Sequence, residues 1–324
     1  MTVPVDLSII IVNWNSREFV DNCLLSLNSL KGVPSVEIIV VDNASYDGTQ
    51  DLLLEKHPEV KYVQSSINGG FSYANNLGAK SAKGRILLFL NPDTEILDDA
   101  VVGVLDVFGD DETVGAAGCL LLNSDGSVQD SCVQAHPTIF NQIMDSRVLR
   151  RALPESPLWG NAILFSKKNG VHDVATLSGA FLMVRKKVFD KIGGFDDTYF
   201  MYAEDRDLCL RVAKAGYRVV IDKGARVIHY GGGSTSSDGA SGFTNIMMRN
   251  ATYQYFMKHR GSVYAMVYRI SMSGNALVRL CLLFLASPVI RLRTGRFPAG
   301  PLSKWGHILK WSLGCARSGK PVSS

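Results

Sequence analysis

The sequence predicts an α/β domain on a mostly parallel central sheet, followed by a basic helical C-terminal extension. Short β-branched apolar runs such as LSIIIV (7–12) and VEIIVVD (36–42) are of the kind buried on both faces of a parallel sheet. They alternate with segments of helical spacing, the pattern of βαβ units. The charge then changes character along the chain: residues 1–238 hold 22 Lys/Arg and 30 Asp/Glu, whereas residues 239–324 hold 12 Lys/Arg and no acidic residue. A net charge of +4 thus conceals −8 in the first part and +12 in the second, and the predicted division is 1–238 and 239–324.

The N-terminus MTVPVDLSIIIV lacks a basic leader and has Asp6 beside its short apolar run, so it reads as a first strand and not a signal peptide. Phe19, Val20, Cys23, Leu24, Leu27 and Leu30 then recur at helical spacing before the strand 36–42. A second unit follows, with TQDLLLEKHP a helix stopped by Pro58, VKYVQ a strand and FSYANNLGAKSAKG a helix ending at Gly84. RILLFLNPD is a long strand ending in Asp93. A helix over roughly 98–109 leads to VGAAGCLLLNSDGSVQ, a strand and a turn at Asp125-Gly126. Residues 134–172 are interrupted by prolines and show no regular pattern. LSGAFLMVRKKVFDKIGGFDD resumes with a strand and a short helix capped by Gly193-Gly194. EDRDLCLRVAKAGY is a helix, and YRVVID and ARVIHYG read as two strands on either side of a tight connection.

From Phe243 onward the pattern is helical. Ile270 to Ile290 carries Arg279 as its only charge, close to the ~20 apolar residues that span a bilayer. The central arginine and the SMSGN run favour an interfacial or re-entrant helix pair with basic heads at the phosphate level; a buried helix of the globular domain is the alternative. Basic residues interleaved with apolar runs suit an anionic membrane surface, and the apolar runs argue against nucleic acid. Six dispersed cysteines without a CxxC pair indicate neither a zinc ribbon nor a disulfide framework, and fit a reducing, cytoplasmic setting.

Ligands of open α/β sheets bind beyond the carboxyl ends of the strands, which here offer Asn13-Trp14-Asn15, Asp42-Asn43 and Asn91-Pro92-Asp93. Asp42 is placed to bind a ribose or a base edge. NWNSRE stands where a dinucleotide enzyme needs GxGxxG, which argues against a dehydrogenase and against a nucleotidyltransferase. Asp93 suits a hard cation bridging to a diphosphate, although capping the next helix would also explain it. His229 ends a strand and precedes three glycines and Ser234, whose amides suit phosphate oxygens. Glu204-Asp205 opens a helix, where capping accounts for one carboxylate and leaves another as a base for an incoming hydroxyl. Tyr199, Phe200 and Tyr202 suit a sugar ring or the core.

The order NWN, VDNASYDGT, NGGFSYANNLGAKSAKGRILLFLNPDTE, LSGAFLMVRKKVFDKIGGFDDTYFMYAEDRDLCLR and VIHYGGGS, over about residues 6–260, resembles family-2 glycosyltransferases, in particular the bacterial rhamnosyltransferase-like branch. The resemblance implies a GT-A fold, with Asp205 as catalytic base and Asp93 and His229 as holders of Mg²⁺ or Mn²⁺. It places Asn13, Asn15, Asp42, Asn43, Asn68, Gly69, Asn91 and Asp93 on the nucleotide-sugar side, and Ser178, Gly179, Ala180, Tyr202 and Glu204 on the acceptor side. Asn91 departs from the family pattern by occupying a position where many relatives carry a carboxylate, so metal binding is expected to lean on the nucleotide. One base without a second nucleophile implies inversion. The expected reaction moves a sugar, favoured as rhamnose from dTDP-rhamnose, to a glycan or polyprenyl-linked acceptor in cell-envelope polysaccharide synthesis, at the cytoplasmic face of the plasma membrane. A non-catalytic nucleotide-sugar-binding or scaffold protein of the same fold is the alternative, and the intact set of Asp93, Asp205 and His229 speaks against it.

Overall fold

A computed structural model describes residues 5–27, 33, 35–109, 111–231, 240–295 and 297–315. In chain order the elements are β1 (Leu7–Asn13), α1 (Arg17–Leu27), β2 (Val36–Asp42), α2 (Thr49–Lys56), β3 (Lys61–Gln64), α3 (Gly70–Ser81), β4 (Ile86–Leu90), β5 (Thr94–Ile96), α4 (Ala100–Asp106) and β6 (Val114–Leu122). After these come β7 (Val133–Gln134), α5 (Ile139–Met144), α6 (Arg147–Ala152), α7 (Ala162–Phe165), β8 (Val171–Asp173), β9 (Thr176–Leu177), β10 (Phe181–Arg185), α8 (Lys186–Lys191), α9 (Glu204–Lys214) and β11 (Arg218–His229). Helices α10 (Ala240–Arg260), α11 (Ser262–Thr294) and α12 (Ala299–Ser312) complete the chain.

The residues form two compact units. One comprises 1–136, 150–200 and 204–234; the other comprises 137–149, 201–203 and 235–324. The proposed boundary at 238/239, Leu30, and the Gly232-Gly233-Ser234 part of the glycine run lie outside the described residues.

The first unit is a mixed sheet of order β3-β2-β1-β4-β10-β6-β11-β5, with β8 also paired to β11. Strands β3, β2, β1 and β4 are mutually parallel, and β10 runs antiparallel between β4 and β6. The apolar runs that predicted strands are the sheet's interior: Leu7, Ile9, Ile10, Ile11, Leu87, Leu88 and Phe89 are fully buried. Phe89 meets Phe195 and Phe189 at ring-centroid distances of 4.8 and 5.1 Å, and Phe71 of α3 meets Phe195 at 5.9 Å. This aromatic cluster fixes α3 and the turn after α8 against the strand that leads to Asp93.

Several elements differ from the sequence reading. YRVVID and ARVIHYG are one strand, β11, with a bulge where its register on β6 passes from Asp222↔Cys119 directly to Arg226↔Leu120. The polar Asp222-Lys223-Gly224 run looks like a turn, but within it Lys223 Nζ donates to the carbonyls of Ile163 and Ser166, and Gly224 N to Asp222 Oδ1 at 2.9 Å, so the strand continues past it. Helix α3 stops at Ser81, short of Gly84, whose added Cβ would lie 2.5 Å from Ser8 N. Strand β5, only three residues long, pairs with the end of β11.

The second unit is helical. Residues 270–290 form no helix pair: they lie inside the single 33-residue helix α11, which contains Pro288. The apolar stretch of α11 is only 6% buried, which does not fit the core helix of a globular domain. Within this unit α11 packs on α10, α12 and the short α5.

Candidate active site

The parallel register of β1 and β2 sets Asn13 opposite Asp42, so both strands deliver polar side chains to one edge of the sheet. Asp42 is 1% exposed; its Oδ1 accepts from Ser45 N (2.7 Å) and Ser45 Oγ (2.6 Å), and Tyr62 Oη donates to Oδ2 (3.2 Å). Burial, followed by the Asp42 charge, raises the Tyr62 hydroxyl well above its ordinary value. Asn13 is wholly buried, donating to Ser45 Oγ and Thr49 Oγ1 and accepting from Ser16 N and Oγ. It also donates to Asp47, where burial opposes the charge but hydrogen bonds from Thr49, Asn13 and Arg17 N prevail and hold the carboxyl below its ordinary range. Asn43 accepts from Gly69 N (3.1 Å) and donates to Asn68 Oδ1 (2.9 Å), which also accepts from Gly70 N (3.1 Å). These bonds tie the loop after β2 to the NGG loop before α3. Asn15 stands apart, exposed and left-handed at φ 51°.

At the neighbouring edge Asn91, Asp93 and His229 converge. His229 Nε2 lies 3.4 Å from Asp93 Oδ1 and 3.5 Å from Asn91 Nδ2. Tyr230 N donates to the Asp93 carbonyl at 2.9 Å, because β5 and the end of β11 are paired beside the Asp93 turn. Gln129 sets the imidazole. Its Nε2 donates to the His229 carbonyl (2.6 Å), which leaves Oε1 to accept from His229 Nδ1 (3.0 Å). The Nδ1 bond fixes the ring with Nε2 toward Asp93, the arrangement that orients metal-binding histidines. Among the described residues no three His, Cys, Asp or Glu side chains cluster around one point. One carboxylate, one imidazole and one amide nevertheless fit a divalent cation that takes its remaining oxygens from a diphosphate and water. Asp93 also lines a cleft of about 470 Å³ with Phe19, Asn22, Glu95 and Tyr230.

The base candidate is connected to this cluster through the strand pair β4–β10. Asn91 N donates to the Ala180 carbonyl at 3.0 Å, and the adjacent Gly179 N donates to Asp205 Oδ2 at 3.3 Å. Asp205 Oδ1 accepts from Arg206 N, and the side chain is partly exposed. Glu204 differs sharply from its neighbour: its Oε2 is buried without a hydrogen-bond partner, and burial, then the Asp205 charge, pushes its carboxyl up to about 8. Near neutral pH it is a neutral acid, so the accessible carboxylate is Asp205. A carboxyl raised from 4.5 to about 8 stabilises the fold fully below pH 4.5 and loses that contribution as pH rises through 8. The wild-type protein is therefore expected to lose on the order of a few kcal/mol between about pH 5 and pH 8.5, and Glu204→Gln to flatten that slope. Urea unfolding midpoints at the two pH values check this, and equal slopes in both proteins would contradict it.

The backbone entering α9 is strained, with Tyr202 and Ala203 at φ 71° and 66°. Just before them the Phe200 carbonyl accepts from Phe71 N at 2.8 Å, an approach open only because Gly70, at φ 85°, has no Cβ. A Cβ there would lie 2.1 Å from that oxygen. Gly70→Ala is expected to cost about 2–3 kcal/mol and to displace the approach to Asp205. Urea denaturation measures the first, and activity falling further than the lost folded fraction measures the second. Tyr199 is fully buried and packs in the core. Tyr202 is assigned to the helical unit.

Sequence reading missed Gln129, Gly70 and Asn76, which exchanges hydrogen bonds with the backbone of Phe195 (2.8 and 2.9 Å). Only the NGG motif signalled any of them, since the partners of Gln129 and Asn76 lie about a hundred residues away along the chain.

Comparison with known proteins identifies the family and the fold. The sequence profile described as Glycosyl transferase family 2 matches residues 8–193, and that described as Glycosyl transferase family group 2 matches residues 110–290. The chain is 32% identical to N-acetylglucosaminyl-diphospho-decaprenol L-rhamnosyltransferase of Mycobacterium tuberculosis over 247 residues, 72% of this chain and 79% of that one. It is 26% identical to rhamnosyltransferase WbbL of Escherichia coli (strain K12), over 68% of this chain and 82% of that one. Among solved structures, mannosyltransferase PcManGT from Pyrobaculum calidifontis, in complex with GDP-Man and Mn²⁺, superposes with a TM-score of 0.59 at 16% identity, covering 97% of this chain and 88% of that one. With a GT-A-like α/β sheet and the family profile over more than half its length, the chain belongs to glycosyl transferase family 2, in its rhamnosyltransferase branch.

Proposed function

We propose that the protein is an inverting glycosyltransferase that moves a sugar from a nucleoside diphosphate to a hydroxyl of a glycan or polyprenyl-linked acceptor in cell-envelope polysaccharide synthesis, with rhamnose from dTDP-rhamnose as the favoured donor. The observation that supports this reading is the hydrogen-bonded path Asp205–Gly179–Ala180–Asn91, which links a partly exposed carboxylate to the strand end that carries Asn91 and Asp93. Asp205 takes the proton of the acceptor hydroxyl, whose oxygen attacks the anomeric carbon opposite the departing diphosphate. The glycosidic C–O bond to the diphosphate breaks as the new one forms. Asn91, Asp93 and His229 hold the diphosphate end of the donor. A divalent cation, Mg²⁺ or Mn²⁺, supplies neutralisation of the charge on the leaving group when bound there.

Asn13 and Asn43 act in this reading as positioning residues, because their amides are used in tying the loops together. Asp42, Asn68, Gly69 and Asn15 remain the groups that meet the nucleotide. Ser178, Gly179, Ala180, Tyr202 and Glu204 form the acceptor side. The unbroken basic character of 239–324 supports peripheral attachment to the inner face of the plasma membrane.

The test is to offer the purified protein a panel of nucleotide sugars with Mg²⁺ or Mn²⁺ and a polyprenyl-diphosphate-linked acceptor, and to measure released nucleoside diphosphate. Acceptor-dependent release from dTDP-rhamnose is expected. Donor binding with no release in any arm would establish the non-catalytic alternative.

A further inference from the structure

We propose that helix α11 lies flat in the surface of an anionic lipid leaflet, with one charge-free face in the headgroup–acyl boundary, and does not cross the bilayer. This rests on the membrane-surface reading above and specifies the face and its orientation. Composition alone does not decide: the most apolar 18-residue window within Ser262–Arg293 has a mean hydropathy of 1.6, and the 33 residues of α11 extend about 50 Å. The placement of its charges does.

Both arginines inside the apolar stretch are held on the face turned to the rest of the helical unit. Arg269 donates Nε to the Ser312 carbonyl and Nη2 to the Trp311 carbonyl, both at 3.0 Å, so it closes the C-terminal end of α12. Arg279 donates Nη2 to the Ile143 carbonyl at 3.1 Å and lies 4.7 Å above the Trp305 ring. Ala265, Met272 and Ala276 are fully buried between these two arginines on the helix wheel, and Tyr268, also fully buried, lies just beyond Arg279. The opposite face presents Val267, Ile270, Leu277, Cys281, Leu285 and Leu292, all exposed and none charged. At 100° per residue these six fall within an arc of roughly 80°.

Charge selects the occupant of this face. Residues 239–324 carry twelve basic and no acidic side chains, and the exposed Arg291 and Arg293 flank the apolar arc at its C-terminal end. That combination matches anionic headgroups over acyl chains. The partner helix selects the orientation. Contacts of Trp305 with Arg279 and of Trp311 with Arg269 run α12 antiparallel alongside α11. The exposed Lys304 is therefore level with the middle of the apolar stretch, and the exposed Lys310 with its start. A crossing helix would carry the Lys304 ammonium into hydrocarbon, whereas a flat one leaves it on the watery side.

The test uses the full-length chain with Cys315→Ser, which leaves Cys281 as the one exposed cysteine among the described residues. An environment-sensitive fluorophore is attached there or, in a background that also carries Cys281→Ser, at Val267→Cys or Leu292→Cys. Vesicles of phosphatidylglycerol and phosphatidylethanolamine carry nitroxide quenchers at shallow or mid-chain depth. The expected result is a blue shift at all three positions, each quenched more by the shallow nitroxide and to a similar extent, with Leu285→Glu lowering the vesicle-bound fraction about tenfold. Deep quenching at 281 with shallow quenching at 267 and 292 means a crossing helix and overturns the proposal, while continued co-sedimentation leaves the membrane reading intact. Absence of both blue shift and co-sedimentation overturns the two together. A blue shift without vesicles, in a protein that sediments as a dimer, shows a second copy on this face and also overturns the proposal.

Discussion

Asp205→Asn is expected to lower turnover by about 10²–10⁴-fold while leaving donor binding nearly unchanged. The amide keeps the shape of the carboxylate at the start of α9, but it cannot take the acceptor's proton. Glu204 cannot substitute, because its carboxyl is buried and protonated near neutral pH. The variant should fold, since the amide oxygen can keep the bond from Gly179 N or from Arg206 N, and losing the other costs about 1 kcal/mol. Initial rates of nucleoside diphosphate release, set beside calorimetric donor affinity, make the comparison. Wild-type turnover in the variant would remove Asp205 from the chemistry, and equal losses in affinity and rate would make it a binding group.

The second large effect is expected at Asp93. Asp93→Ala should weaken donor binding about 5–150-fold in the presence of Mn²⁺ and make the remaining binding insensitive to chelator, because a cation bridging protein and diphosphate couples the two affinities. Asn91 lacks the charge that a carboxylate would add, and no third charged ligand stands nearby among the described residues. Without Asp93 the His229 imidazole alone has little hold on a hard cation. Calorimetry of donor binding with and without Mn²⁺ decides the point: an unchanged metal dependence in the variant would place the cation elsewhere.

The strands that build the sheet's middle were legible because burial on both faces writes itself as unbroken apolar runs: β1, β2 and β4 were read directly from LSIIIV, VEIIVVD and RILLFL. So were α1, α2 and α9, whose apolar spacing survives in the sequence. Strands β5, β7 and β9 were not legible. Two or three residues have no periodicity, and these strands exist through pairing partners distant in the chain. The same physics hid the shared work of Gln129 and His229, a side-chain contact between residues one hundred apart. Asn13 was legible as a residue at a strand end but not in its role, since the sequence does not show that Ser16, Ser45 and Thr49 would saturate its amide. Residues 137–149 join the helical unit because α5 packs on α11, which the prolines of that stretch conceal.

In the proposed reaction Asp205 is the base facing a leaving diphosphate, and the sugar passes from donor to acceptor in one displacement. The direct measurement is the anomeric configuration of the first product, read by NMR under conditions of a single turnover with the donor found active. Inversion relative to the donor is the expected result, and retention would contradict the assignment of Asp205 and the mechanism built on it.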